Sequence, residues 1–363
     1  MTKKILLLGG TGAMGVYLRE YLAQEPDTQV YITSRSEYNS SGNIHYICGN
    51  AKNIDFLKEI LLNIKPDAIV DFMIWNTEQF KEVSSLLLQN TAHYLFLSSY
   101  RVFAEDNPLI ESSPRLLDVC QDAVYLKTDE YALTKARQEN ILRQSSKNNW
   151  TILRPCITYS KNRFQLGCWE ADVVCLRSLQ GLSIVLPSEM LDKQTTMTWA
   201  GDTALLIAKL ILNPSAYGED FNLATAEHHT WREISGYYSE ILGTNIYEIP
   251  LEKYIKQFGF SYQLKYDRMF NRILDNSKVL AVTGISQSQF TSLKEGLTRE
   301  LISFKTNPVY KSVNIIPNAK MDNICGERIS LKGLSLRNIL LYLAVRCHLF
   351  PFLLLLKGLI KRK

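Results

Sequence analysis

The seven cysteines of this 363-residue chain are odd in number and include no C-x-x-C pair. That argues against a disulfide framework and for reduced thiols in a cytoplasmic protein. Internal repeats and low-complexity segments are lacking. No basic stripe interleaved with aromatics accompanies the net charge of +5, much of which comes from Lys357, Lys361, Arg362 and Lys363. Nucleic acid is therefore not expected as a partner. No secretory leader is expected ahead of a first strand that starts at residue 4, and no metal site is expected. What is present, 46% hydrophobic and 21% charged, is a globular composition long enough for a large core.

The most informative stretch is Lys4-Ile5-Leu6-Leu7-Leu8-Gly9-Gly10-Thr11-Gly12-Ala13-Met14-Gly15. An aliphatic strand breaks at glycines, and Val16 to Leu22 then reads as a helix. In the spacing G-x-x-G-x-x-G the first glycine permits a sharp turn. The second lets backbone approach a diphosphate, and the third lets helix pack on strand. The helix's free N–H groups, with about half a positive charge, suit phosphates. Residues 9 to 15 are thus expected to bind a dinucleotide. After a second strand, Gln29 to Thr33, stand Ser34 and Arg35. An acid commonly accepts the ribose 2′-hydroxyl there, whereas arginine suits a 2′-phosphate, so NADP is expected, with NAD as the alternative. Further strands at 44–50, 67–73 and 94–99 alternate with helices at 54–64 and 77–90. The expected fold is a Rossmann-type, doubly wound parallel α/β sheet, with its ligands at the strands' carboxyl ends.

Tyr131 and Lys135 open a helix running through Leu142, and i, i+4 spacing puts them on one face. A phenol with a pKa near 10 needs about 4 kcal/mol to serve as a base near neutrality. A cation ~4 Å away at an effective dielectric near 20 supplies about that much. Tyr131 is the expected acid/base, Lys135 its neighbouring cation and ribose ligand, and Ser99 the group that orients the reacting oxygen.

With these pieces in hand, the chain resembles the extended short-chain dehydrogenase/reductases, the NAD-dependent epimerase/dehydratase family that acts on nucleotide sugars. The matching pieces run in family order over about residues 3 to 245. They are Gly9 to Gly15, then Leu97-Ser98-Ser99-Tyr100-Arg101-Val102-Phe103, then Tyr131 to Lys135. Ile152-Leu153-Arg154-Pro155, Trp199-Ala200-Gly201-Asp202 and Gly218-Glu219-Asp220-Phe221-Asn222-Leu223 follow. Phe103 takes the family's aromatic place, which selects Ser99 over Ser98 as catalytic. The resemblance implies a cofactor site that also includes Asn50, Ser98 and Pro155. It implies hydride transfer on a nucleotide-activated or glycan-linked sugar, in surface polysaccharide assembly. Three departures stand out. Asn50 replaces an aspartate near the adenine, and Phe72-Met73-Ile74 replaces small residues. Tyr100-Arg101 replaces the Asp-Glu that 4,6-dehydratases carry. Dehydration is therefore disfavoured against epimerisation or ketone reduction. Cys120 and Cys156 are secondary acid candidates, set against the usual reading of a lone cysteine as a small buried hydrophobe. A non-catalytic cofactor-sensing or RNA-binding member of the superfamily is the alternative reading.

Residues 161–305 are expected to form a substrate lobe, with 195–225 returning to the Rossmann domain of 1–160. Lys161, Arg163, Trp169, Glu170 and Arg177 are available there for a sugar diphosphate. Residues 306–330 read as a loop-rich connector. Ile339 to Leu356 is an apolar run of 18 residues, interrupted by Arg346, His348 and Pro351 and ending in basic residues. As a helix it would be ~27 Å long, short of a ~30 Å hydrocarbon core. Residues 334–363 are expected to touch a membrane surface peripherally, at its inner face, or to pack on the protein or in a homodimer. A lipid-linked sugar would then be a conceivable substrate.

Overall fold

The computed structural model describes residues 2–310 and 312–349. By its internal contacts the chain divides into two units. One comprises Met1–Asn162, Gln194–His228 and Phe270–Gly296, the other Arg163–Lys193, His229–Met269 and Leu297–Lys363.

The first unit is built on seven parallel strands. They are β1 (Lys3–Leu8), β2 (Thr28–Ser34), β3 (Ile44–Cys48), β4 (Ala68–Asp71), β5 (His93–Leu97), β6 (Trp150–Pro155) and β7 (Glu219–Leu223). Their order is β7-β6-β5-β4-β1-β2-β3, so the sheet reverses direction at β1, as expected of a Rossmann-type fold. The unbroken aliphatic run of β1 now has its reason. Ile5 and Leu7 enter a core with Leu18 and Leu22 of α1 (Ala13–Ala23). Leu6 and Leu8 enter another with Leu57 and Leu61 of α2 (Ile54–Ile64) and Phe80 and Val83 of α3 (Thr77–Gln89). A central strand covered on both faces has no polar side to show. The helix α4 (Tyr131–Arg143) lies between β5 and β6 in the chain, and α5 (Ala200–Leu210) packs beside α1 through Ala204 and Ile207.

The unit boundaries differ from the expected 1–160, 161–305 and 306–363 in two respects. Residues 270–296 join the sheet unit as well as 194–228, because Val279 and Ile285 enter the core and the Asn276 amide donates to Ala224 O at 2.9 Å. The described residues of the tail, up to residue 349, group with the second unit rather than forming a separate region. The expected connector holds a helix, α6 (Ile315–Cys325), whose Asp322 carboxylate pairs with Arg177 at 2.9 Å; both are buried. A second helix, α7 (Leu336–Arg346), follows. Residues 350–363, where the apolar run ends, lie outside the described residues. No described helix is long and apolar enough to cross a membrane.

His93 at the start of β5 is fully buried, and burial lowers it from 6.5 to about 4. Its Nδ1 accepts from Leu212 N at 2.9 Å, so Nε2 carries the proton and donates to Thr151 Oγ1 at 2.8 Å. Thr151 in turn donates to Ala216 O. Because the unfolded chain binds this proton more readily, stability is whole above pH 6.5 and is lost as pH falls toward 4. The shift predicts a loss of about 2 kcal/mol at pH 5 from this residue alone. Urea unfolding of the protein and of His93→Gln across that range checks this, with the variant showing a flatter acid limb.

Candidate active site

The glycine turn is shaped by close approach. A Cβ on Gly15 would lie 2.3 Å from the Gly10 carbonyl oxygen, so only glycine lets α1 rest against the turn. Gly9 takes φ +70°, and its N–H donates to Thr33 Oγ1 at 2.9 Å, tying the turn to β2. Gly12 is different: a Cβ there would meet nothing within 4 Å. Gly12 also begins α1 without any side-chain cap, whereas Asn53 caps α2 and Asn76 with Gln79 boxes α3. The first turn of α1 thus has no side-chain cap for its N–H groups, and the half-buried Thr11 stands beside it. A diphosphate fits this arrangement.

Further along the same edge, Ser34 ends β2 and its hydroxyl accepts from Ser36 N at 3.1 Å, while Arg35 is exposed. Asn50 is exposed too, and its Oδ1 accepts from Lys52 N at 3.1 Å. Pro155 is buried at the end of β6. Met73, the departure at the end of β4, has its sulfur beside Gly9, 2.9 Å from where a Cβ would stand.

Tyr131 is the first residue of α4 and is 38% exposed, whereas Lys135 one turn on is buried. Lys135 Nζ donates to Leu97 O at 2.7 Å, at the carboxyl end of β5, and lies 4.6 Å from the Phe96 ring centroid. It is 6.0 Å from the centre of the Tyr131 ring. Burial pulls the Lys135 ammonium down to about 8, against the opposing pull of Asp71 and Glu139. Ser99, two residues beyond that carbonyl, is buried, and its Oγ accepts from Arg101 N at 3.2 Å. The guanidinium of Arg101 stands 5.2 Å over the Tyr131 ring and pairs with Glu130, the carboxylate that caps α4 by accepting from Ala132 N at 2.7 Å.

Other expected residues have partners of their own. The Ser98 hydroxyl is buried and donates to Glu139 Oε1 at 2.6 Å, which joins it to a buried network. Cys156 is buried with Sγ 3.0 Å from Thr198 Oγ1, a packing role. Arg177 is fully buried between Asp322 and Glu327, and Trp169 donates to Val185 O at 3.0 Å among Tyr254, Phe258 and Phe260. Both hold the second unit together, which takes them out of the set available for a sugar diphosphate. No cluster able to hold a metal occurs among the described residues.

Sequence reading missed Asp71, Glu139 and Arg154 as parts of the site. Asp71 is buried, and its carboxylate accepts from Tyr94 OH at 2.7 Å, Trp75 Nε1 at 2.8 Å and Met73 N at 2.8 Å. Burial raises its pKa, and Lys135 opposes that rise. Glu139 accepts two bonds from Arg154, at 2.9 and 2.8 Å, and one from Arg115 at 3.1 Å; Arg154 above all holds its carboxyl below the usual range despite complete burial. The only hint in the sequence was Glu139 at i+4 from Lys135, which placed it on the same helical stripe. Glu139→Gln removes the carboxylate that Arg154 and Arg115 share, leaving them only Asp220 and Asp118, and should cost about 3 kcal/mol in urea unfolding. A variant within 1 kcal/mol of the parent would show the network to be dispensable.

Residues 5–224 match the family model described as the NAD dependent epimerase/dehydratase family. Among curated proteins, the chloroplast stem-loop binding protein of 41 kDa b from Arabidopsis thaliana is 29% identical over 175 residues. That match spans 43% of this chain and 42% of the relative, less than half its length. Among solved structures, dTDP-glucose 4,6-dehydratase from Bacillus anthracis in complex with NAD aligns with a TM-score of 0.65 at 15% identity, over 84% of this chain and 97% of that one. UDP-glucose 4-epimerase from Thermus thermophilus, also with NAD, aligns with a TM-score of 0.63 at 18% identity, over 84% of this chain and all of that one (100%). At such identities the likeness is one of fold. With the family match running through the glycine turn, the Tyr131–Lys135 helix and β7, the chain belongs to the NAD-dependent epimerase/dehydratase family.

Proposed function

We propose that this protein is an NAD(P)-dependent epimerase or ketoreductase acting on a nucleotide-activated or glycan-linked sugar in surface polysaccharide assembly. The observation that carries the reading is Lys135, buried and bonded to Leu97 O, one helical turn from a half-exposed Tyr131. A lysine buried at that edge is hard to explain by packing alone. The dinucleotide would be held by residues 9 to 15, by Arg35 and Asn50 at its adenosine end, and by Tyr131, Lys135 and Pro155 at its nicotinamide end. When bound, the nicotinamide supplies hydride exchange at C4.

The chain's own residues then do the rest. Tyr131 passes the proton to or from the sugar oxygen, and Ser99 orients that oxygen by hydrogen bonding. Lys135 holds the ribose and, with Arg101, places positive charge beside the phenol ring. Exposed Arg35, with no acid at the end of β2, supports NADP. Arg101 is engaged with Glu130 where a 4,6-dehydratase carries its acid pair, which supports simple hydride chemistry over dehydration.

Purified protein should consume NADPH stoichiometrically with a keto-sugar if it is a reductase, or turn over a sugar without net cofactor loss if it is an epimerase. Tyr131→Phe should lower kcat by about 10²-fold or more. The relative named for stem-loop binding favours a second reading, an RNA-binding member without catalysis. In that case Tyr131→Phe would leave biological activity intact, and a stem-loop RNA would be retained in a gel-shift assay.

Because Lys135 lies at about 8, activity should fall above that pH as its ammonium is lost. Asp71 acts through Lys135 as a positioning residue. Asp71→Asn should move the alkaline limb of the kcat profile to lower pH, since a carboxylate that favours the ammonium is gone. An unmoved limb would remove Asp71 from the mechanism.

A further inference from the structure

Beyond Glu327 the chain has eight lysines and arginines and no aspartate or glutamate. The other 327 residues carry a net charge of −3, so the excess positive charge of the protein belongs to this end. Its described part includes α7, whose two faces differ. Tyr342 and Val345 are buried against Ile315, Ala319 and Ile329. Tyr342 OH donates to Asp322 Oδ2 at 2.7 Å and Asn323 Nδ2 donates to Val345 O at 3.2 Å, which sets the rotation of the helix. The opposite face is apolar yet open: Leu336 is 73% exposed, Leu340 58% and Leu343 39%, at i, i+4 and i+7. Leu349 beyond it is 54% exposed. Arg328, Lys332 and Arg337 are exposed around this stripe.

We infer that this face of α7 docks on an anionic lipid surface. An outward leucine stripe flanked by cations is the chemistry of a helix lying in the headgroup region, where leucines enter the acyl boundary and basic groups meet anionic lipid. The sequence continues in kind, with Phe352-Leu353-Leu354-Leu355-Leu356 and then Lys357, Lys361, Arg362 and Lys363. A second copy of the chain is a poorer occupant. A twofold contact through this face would bring two acid-free, basic surfaces together. RNA would match the charge but leave the leucines without a partner.

Flotation of the full-length protein with vesicles tests this without any enzyme assay, so it stands or falls apart from the proposed activity. The protein should float with mixed phosphatidylcholine–phosphatidylglycerol vesicles and not with pure phosphatidylcholine, and added salt should weaken the association. The triple variant Leu336→Ser, Leu340→Ser, Leu343→Ser changes only outward residues, so its melting temperature should hold while its bound fraction falls about tenfold. Replacing Arg328, Lys332 and Arg337 with glutamine should likewise weaken binding to the anionic vesicles. Three results would overturn the inference: no flotation with anionic vesicles, undiminished flotation of the leucine variant, or a protein dimer or RNA complex formed through the same leucines in place of vesicle binding.

Discussion

The buried carboxylate of Glu139 is the contact on which the arrangement of the sheet's carboxyl edge depends. It receives hydrogen bonds from Arg154 on β6, Ser98 just past β5 and Arg115 in the intervening loop, while sitting on α4 itself. A charge this deep is stable because both oxygens are answered, above all by Arg154, with Arg115 and Ser98 beside it. Tyr131, Lys135 and Glu139 follow one another at four-residue spacing, so fixing the inner end of that stripe fixes the rotation of α4. With α4 so turned, Lys135 meets Leu97 O and Tyr131 reaches the surface. Arg154 extends the network to Asp220 on β7 at 2.9 Å, so four elements share one electrostatic anchor.

A complementary logic governs the same edge of the sheet at the end of β1. There, contact is achieved by removing atoms rather than by adding charge. The Gly15–Gly10 approach tolerates no side chain, and α1 consequently starts tight against the turn with no side-chain cap on its first N–H groups. Neighbouring helices α2 and α3 spend an asparagine on the same task. An uncapped terminus is unfavourable unless water or an anion answers it, which is why this turn reads as a binding feature rather than an ordinary helix start.

The second unit shows how a charged residue can be mistaken for a ligand contact. Buried Arg177 and Asp322, with the half-buried Glu327, join the strand Ser183–Pro187 to the tail helices; Arg177 Nε donates to Ser183 O at 2.6 Å. In sequence these residues lie about 150 positions apart, and nothing local marks them as partners. Their pairing also explains why the tail is integral: α6 supplies the counter-charge that lets an arginine be buried at all.

By itself the sequence determined what short-range physics controls: the glycine turn, the alternation of strands and helices, and the i, i+4 placement of Tyr131 and Lys135. Each depends on periodicity or on a backbone freedom that only glycine has. It also determined the family, because the order of its motifs is carried along the chain. Tertiary structure alone decided that Ser98 serves Glu139, that Asp71 lies within electrostatic reach of Lys135, that Arg177 and Trp169 are interior, and that residues 270–296 complete the sheet unit. Those outcomes depend on which buried polar groups find one another across tens of residues. A burial penalty is settled only by the partner that answers it, and that partner is a property of the fold.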